Sequence, residues 1–317
     1  MGFSDKLYED MVYYSNYANL ASCIYYNRLS EGYLNDGACD LRFCTKNPRN
    51  KKTKIIKINV VPEDRSGTGF IAVDDKNKEI IVSFRGSTTW KDWQTDFNIG
   101  YSDYRPISDY VPGIPACGDG CKVHSGFYHQ LESITEEILK PVEDLYLKYK
   151  DYRLVVIGHS LGGAFATIIG IEFRVRGFTP LVVTYGMPRI FNEQLKTWVN
   201  SIFNVTDLEQ RVKNKDPIKW GFIRVSHEND YVPDLPMRMS HAGVQFHITK
   251  RDLPHEKNDV IFIGSGQEET PNQVKTITDP LHGYEHRTYF LTINKCLDDI
   301  SIQQPEPSLE KPDLVWL

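Results

Sequence analysis

The stretch VVIGHSLGGAFAT, Val155 to Thr167, opens on three apolar residues and closes on the small residues of a helix pattern. Ser160 stands at the junction, with Gly158 and Gly162 two places to either side. A serine hydroxyl attacks a carbonyl only if a base takes its proton and its oxygen stands clear of the backbone. A sharp strand-to-helix turn meets the second condition but crowds its neighbours, and glycines at 158 and 162 relieve that crowding. The helix after the turn offers backbone N–H groups and its positive end to an oxyanion. An inert glycine-rich turn is the alternative; LVVI before it and GGAFATIIG after it set this one apart from chance matches.

Working outward, the neighbouring segments alternate between strand and helix patterns. IIKINVV (55–61), GTGFIAVD (67–74), EIIVSFR (79–85), RLVVIG (153–158), LVVTYG (181–186), FIRVS (222–226) and VQFHIT (244–249) read as strands. Helices are expected over 5–28, 124–150 with a kink at Pro141, 161–176 and near 192–202. Near-continuous apolar strands between helices predict an α/β fold whose sheet is covered on both faces. No repeat and no linker precedes the polar stretch GSGQEETPNQ (264–273), so the 317 residues read as one domain with a tail over 301–317.

Composition narrows the function classes. The chain is 40% hydrophobic and 25% charged with net charge −5, which suits a folded enzyme and not a nucleic-acid binder. The one basic run, KNPRNKKTK (46–54), reads as a solvated loop. No run reaches the roughly 18 apolar residues of a membrane span, and MGFSDKLYED lacks a signal-peptide core. The chain therefore reads as cytosolic, or as a mature form starting at an added methionine. Cys23, Cys39, Cys44, Cys117, Cys121 and Cys296 show no zinc spacing; spacing alone leaves thiols and disulfides both open. Asn204-Val205-Thr206 is a glycosylation sequon, and nothing signals a cofactor or a metal.

An elbow of this kind is used with the order serine, acid, histidine. Asp230 in HENDYVPDLP follows the strand FIRVS and so lies in a loop at a strand's carboxyl end. Asp216 precedes its strand and Asp234 lies further on, between prolines. For the base, His241, His247, His255, His282 and His286 all follow, and spacing does not choose among them. His159, inside the elbow, reads as a packing residue.

The sequence resembles the fungal class 3 triacylglycerol lipases, the secreted group of filamentous fungi and yeasts. The likeness runs from YYSNYANLASC (13–23) to HRTYFLTINKC (286–296). It takes in IVSFRGS (81–87), KVHSGF (122–127), VVIGHSLGGA (155–164), TYGMPRIFN (184–192), RVSHENDYVPDLP (224–236) and SHAG (240–243). The resemblance implies an α/β-hydrolase fold, with a central mostly parallel sheet, helices on both faces and a short helical lid. It implies a Ser160, His286 and Asp230 triad, because His286 precedes Tyr289-Phe290, Ile293-Asn294 and Cys296 as the family's histidine does. His282 is second. The oxyanion donors are then Leu161, by elbow geometry, and Ser87, by resemblance, with Asp96 supporting Ser87.

The same likeness assigns a lid to about 88–99. There Trp90, Trp93 and Phe97 share one helical face, which reads as core unless the family's lid is placed here. Two tryptophans favour a lipase over the feruloyl esterases of the same fold, whose lids are more polar. The resemblance also pairs Cys23 with Cys296, Cys39 with Cys44 and Cys117 with Cys121, and with them implies a secreted protein. Met187 and Phe191 depart from the family, which more often has Gln or Asn and Gly there. The implied function is hydrolysis of acylglycerols at a lipid–water interface, by a monomer as the default state. The alternatives are a short-chain, monoacylglycerol or phenolic-ester esterase, or a weak homologue that binds lipid without turnover; a metallohydrolase is the remotest reading.

Overall fold

The structure is a computed structural model and describes residues 2–61, 67–86, 100–107, 111–132, 134–266 and 283–298. The expected lid, Ser87, Asp96, His282 and the tail over 301–317 lie outside these residues.

The first strands are β1 (Gly32–Tyr33), β2 (Thr53–Asn59), β3 (Gly69–Asp74) and β4 (Glu79–Phe84). A separate two-stranded ribbon follows, β5 (Tyr101–Asp103) with β6 (Lys122–His124). Then come β7 (Arg153–His159), β8 (Leu181–Tyr185), β9 (Gly221–His227), β10 (Val244–Ile248) and β11 (Val260–Gly264). Nine strands form one sheet in the order β1-β2-β3-β4-β7-β8-β9-β10-β11. The five from β4 to β10 are parallel, and antiparallel strands flank them on both sides. Every residue of β4, β8 and β9 is buried, as a parallel sheet between two helical layers requires.

Side-chain alternation shows which helix covers which face. Ser83 Oγ donates to the carbonyl of Tyr17 (3.0 Å), so it points at the N-terminal helix Asp5–Cys23. Phe84, the next residue, points the other way and meets Phe165 of the helix Leu161–Val175, ring centroids 6.4 Å apart. Parallel register then brings the carboxyl ends of β4, β7, β8 and β9 to one edge: Phe84 lies beside Gly158, His159 beside Tyr185, and Tyr185 beside Val225. Ser160, Gly186 and Asp230 follow at that edge.

Three expectations need correction. The N-terminal helix stops at Cys23, five residues short of 28, where the chain turns through Asn27 at φ +53°. The segment 124–150 is two helices, Ser125–Glu132 and Thr135–Lys148, and not one. Pro141 sits inside the second helix; it cannot donate to the carbonyl of Glu137, and Lys57 Nζ occupies that carbonyl instead (3.0 Å). The helix Val205–Asn214 and strand β11 were not anticipated. The helix is mostly polar and buries only Val205, Leu208 and Val212.

The structure carries all three disulfides, Cys23–Cys296, Cys39–Cys44 and Cys117–Cys121. The first closes the chain's far end onto the N-terminal helix. Cys296 N–H also donates to Ser22 Oγ (3.2 Å) and the Cys296 carbonyl accepts from Arg28 Nη1 (2.7 Å).

Candidate active site

Ser160 lies between β7 and the helix Leu161–Val175 with φ +55° and ψ −127°, a conformation an L-residue adopts only where its surroundings impose it. The flanking glycines permit it. A Cβ on Gly158 would stand 2.0 Å from the Gly162 carbonyl oxygen, and one on Gly162 would stand 2.4 Å from that of Phe84. The elbow is therefore a close packing of backbone on backbone, which any side chain at either position would break. Ser160 N–H donates to the Tyr185 carbonyl (2.8 Å), tying the turn to β8. Leu161 is the first helical residue, so its N–H has no acceptor within the helix.

The structure brings Ser160, Asp230 and His286 together. His286 Nε2 is 2.9 Å from Ser160 Oγ, and His286 Nδ1 is 2.9 Å and 3.0 Å from the two Asp230 oxygens. All three residues are buried. Asp230 also accepts from Val232 N–H (3.0 Å) and from the Tyr289 hydroxyl. Burial pushes the Asp230 carboxyl up, but the His286 imidazole and these hydrogen bonds outweigh it and hold its pKa below the ordinary value. An ionised acid is thus aimed at one ring nitrogen, which leaves the other facing the serine. Gly186, at φ +55°, is the clearance for this arrangement: a Cβ there would lie 2.9 Å from the Tyr289 hydroxyl and 3.0 Å from Asp230 Oδ2.

The rival residues are placed elsewhere. Asp234 pairs with Arg189 (3.5 Å), and Asp216 lies beyond the helix Val205–Asn214 before its strand begins. His241 Nε2 is 2.7 Å from the Pro233 carbonyl and His247 Nδ1 is 2.9 Å from Ser226 Oγ. His255 Nδ1 accepts from Phe290 N–H (3.2 Å). Tyr289, His159, His227 and Asn294 are the residues sequence reasoning missed as participants. His159 is buried as expected of a packing residue, yet its Nε2 is 2.6 Å from the His286 carbonyl oxygen. His227 Nδ1 lies 2.9 Å from the Glu285 carbonyl oxygen. Tyr289 and Asn294 carried a signal as part of HRTYFLTINKC, but the contacts of all four span more than fifty positions.

The sequence model of the family "Lipase (class 3)" matches residues 81–240. LIH1 of Saccharomyces cerevisiae, a protein provisionally named a lipase, is 35% identical over 311 residues, covering 92% of this chain and 94% of that one. The chain belongs to the class 3 lipases. Lip2 lipase of Yarrowia lipolytica shares the fold with a TM-score of 0.75 at 24% identity, covering 93% of this chain and 97% of that one. Secreted mono- and diacylglycerol lipase 1 of Fusarium solani is 33% identical over 186 residues, 57% of this chain and 53% of that protein. Its family makes this chain a hydrolase of ester bonds, of the lipase kind, on an α/β-hydrolase fold. Among the described residues no group of three or more His, Cys, Asp or Glu side chains is placed to hold a metal ion. Nor is any helix among them long and apolar enough to cross a membrane.

Proposed function

We propose that this lipase hydrolyses triacylglycerols at a lipid–water interface through an acyl-enzyme on Ser160. The observation that carries the reading is the unbroken hydrogen-bond chain from Ser160 Oγ through His286 to Asp230, at 2.9 Å per link. In it, His286 Nε2 takes the proton of Ser160 Oγ as Oγ bonds to the ester carbonyl carbon. The imidazolium so formed is stabilised by the Asp230 carboxylate. It returns the proton to the departing alcohol, and water then repeats the sequence to free the acid. Leu161 N–H serves the oxyanion. Ser87 is the second donor and Asp96 its support; a Cβ on Gly86, its neighbour, would lie 3.3 Å from Ser160 Cβ, so the chain enters that segment beside the nucleophile.

Trp90, Trp93 and Phe97 form the apolar face of the lid over 88–99, covering the acyl groove in water and turning to lipid at an interface. Three disulfides and a secreted relative support an extracellular protein, folded as one domain and monomeric, with Asn204, exposed just before the helix Val205–Asn214, as its glycosylation site. A second reading follows from the mono- and diacylglycerol lipase among the relatives: the preferred ester is a partial glyceride.

The test is initial rate on emulsified triolein, diolein and soluble tributyrin, with Ser160→Ala alongside. A rise as triolein passes its solubility limit, lost in the variant, is expected. Activity on diolein alone transfers the assignment to partial glycerides. Activity confined to tributyrin makes the protein an esterase, and activity retained by Ser160→Ala overturns the mechanism.

A further inference from the structure

His286 belongs to a four-residue helix, Tyr284–Arg287, too short to hold its own shape. Its carbonyl is among the last of that helix and has no intrahelical donor. Something else must fix the backbone that carries the base. The segment beyond it holds one isolated bridge, Thr288 with Thr292, and its Phe290, Asn294 and Cys296 all have positive φ.

We propose that His159, the last residue of β7, is a positioning residue for the reaction: its Nε2–H, fixed as a donor by Asn294, holds the main-chain carbonyl of His286. The inference rests on the reading of His286 as base. Asn294 Nδ2 lies 3.0 Å from His159 Nδ1, and an amide NH2 can only donate, so Nδ1 is the acceptor. A neutral imidazole has one N–H, which is then on Nε2, 2.6 Å from the His286 carbonyl oxygen. The ring is fully buried, 4.8 Å from the His286 ring between centroids and 5.7 Å from that of Tyr289. Burial, together with His286 nearby, pushes its pKa down to about 3, so the neutral form persists through any working pH.

With Nδ1 occupied by Asn294 and Nε2–H by the carbonyl, His159 has no lone pair for Ser160 and is no second base. It ties the nucleophile's strand to the base's backbone, one residue before Ser160. The tie ends at the Cys23–Cys296 disulfide, two residues past Asn294. Histidine suits the role because one rigid ring presents a donor and an acceptor on opposite sides.

Two substitutions separate this from plain packing. Gln at 159 places an amide donor near the Nε2 position; Asn places one near Nδ1 and reaches no carbonyl. His159→Asn is expected to lower kcat about tenfold or more on a soluble ester with KM within about twofold, since loss of orientation acts on the transition state. His159→Gln is expected to recover most of that loss. Asn294→Ala added to His159→Asn should cost nothing further, because the tie is already broken. Nitrogen-15 NMR of the wild-type protein should show the Nε2–H tautomer at neutral pH. Equal rates for the Asn and Gln variants, losses that only track a fall in Tm, additive effects of the two sites, or the Nδ1–H tautomer would each overturn the proposal. Failure of the underlying reading is distinct: His286→Ala would then retain activity.

Discussion

The two ends of the central strands each bury a carboxylate with a tyrosine hydroxyl and a nitrogen base, and the choice of base separates them. At the amino end, Glu79 accepts from Arg153 and from the Tyr14 hydroxyl (2.7 Å), while Asp10 takes in Arg49 (3.1 Å). At the carboxyl end, Asp230 accepts from His286 and the Tyr289 hydroxyl. Burial pushes the Tyr14 hydroxyl far up; it would lower the Arg153 guanidinium, but Tyr14 and Glu79 beside it raise it instead. Both protons are thus fixed at any working pH, and the network is a lock. At the carboxyl end an imidazole stands in place of the guanidinium, and the acid holds one of its two ring nitrogens. Its second nitrogen is then free for Ser160.

The comparison breaks most visibly at Asp230. Asp230→Asn keeps the volume but no longer selects the Nδ1–H tautomer of His286, and kcat per folded molecule is expected to fall by about 10⁴-fold. A fall under tenfold in a rate assay would remove the acid from the mechanism. At the other end the effect is on stability. Arg153→Met leaves Glu79 buried beside Tyr14 without its cation and is expected to cost about 3 kcal/mol, read by urea unfolding, with kcat per folded molecule unchanged. A loss of kcat at native conditions would show that the two ends are coupled.

A third effect is graded with pH. Burial lowers His159 to about 3 and His124 and His255 to about 4. The unfolded chain takes these protons near 6.5 and the folded one does not, so stability is complete above 6.5 and is lost as pH falls toward 4. Each ring contributes at most about 1.4 kcal/mol per pH unit. Asp230, held low, loses its contribution further down, in the same direction. Calorimetry from pH 7.5 to 4 should show a falling Tm, and hydrogen exchange should show 284–296 loosening before the Glu79–Arg153 end. A flat Tm would mean that these rings are not held neutral.

Sequence patterns reach as far as local sterics and local periodicity do. Ser160 was legible because the elbow's strain is relieved by residues two positions away, and Asp230 because a strand end is visible in the apolar run FIRVS. Five parallel strands followed from segments too apolar to face water on either side. The break between the helices Ser125–Glu132 and Thr135–Lys148 was not legible, and neither was the partner of the Glu137 carbonyl freed by Pro141, which is Lys57, eighty positions away in the chain. His286 could not be singled out by spacing among its rivals; resemblance to a family picked it, and packing brings it to Ser160.

The sequence by itself determined an α/β sheet and the serine elbow at its edge, since each depends on residues within a turn or a strand of one another. Only the tertiary structure decided that a four-residue helix from the far end of the chain stands over that elbow. It also decided which side chains hold it there: the donors His159 and Tyr289 and the acceptor Asp230 answer to hydrogen bonds spanning 56 to 127 positions. Buried donors and acceptors must find partners wherever the fold places them, and no local pattern records that choice.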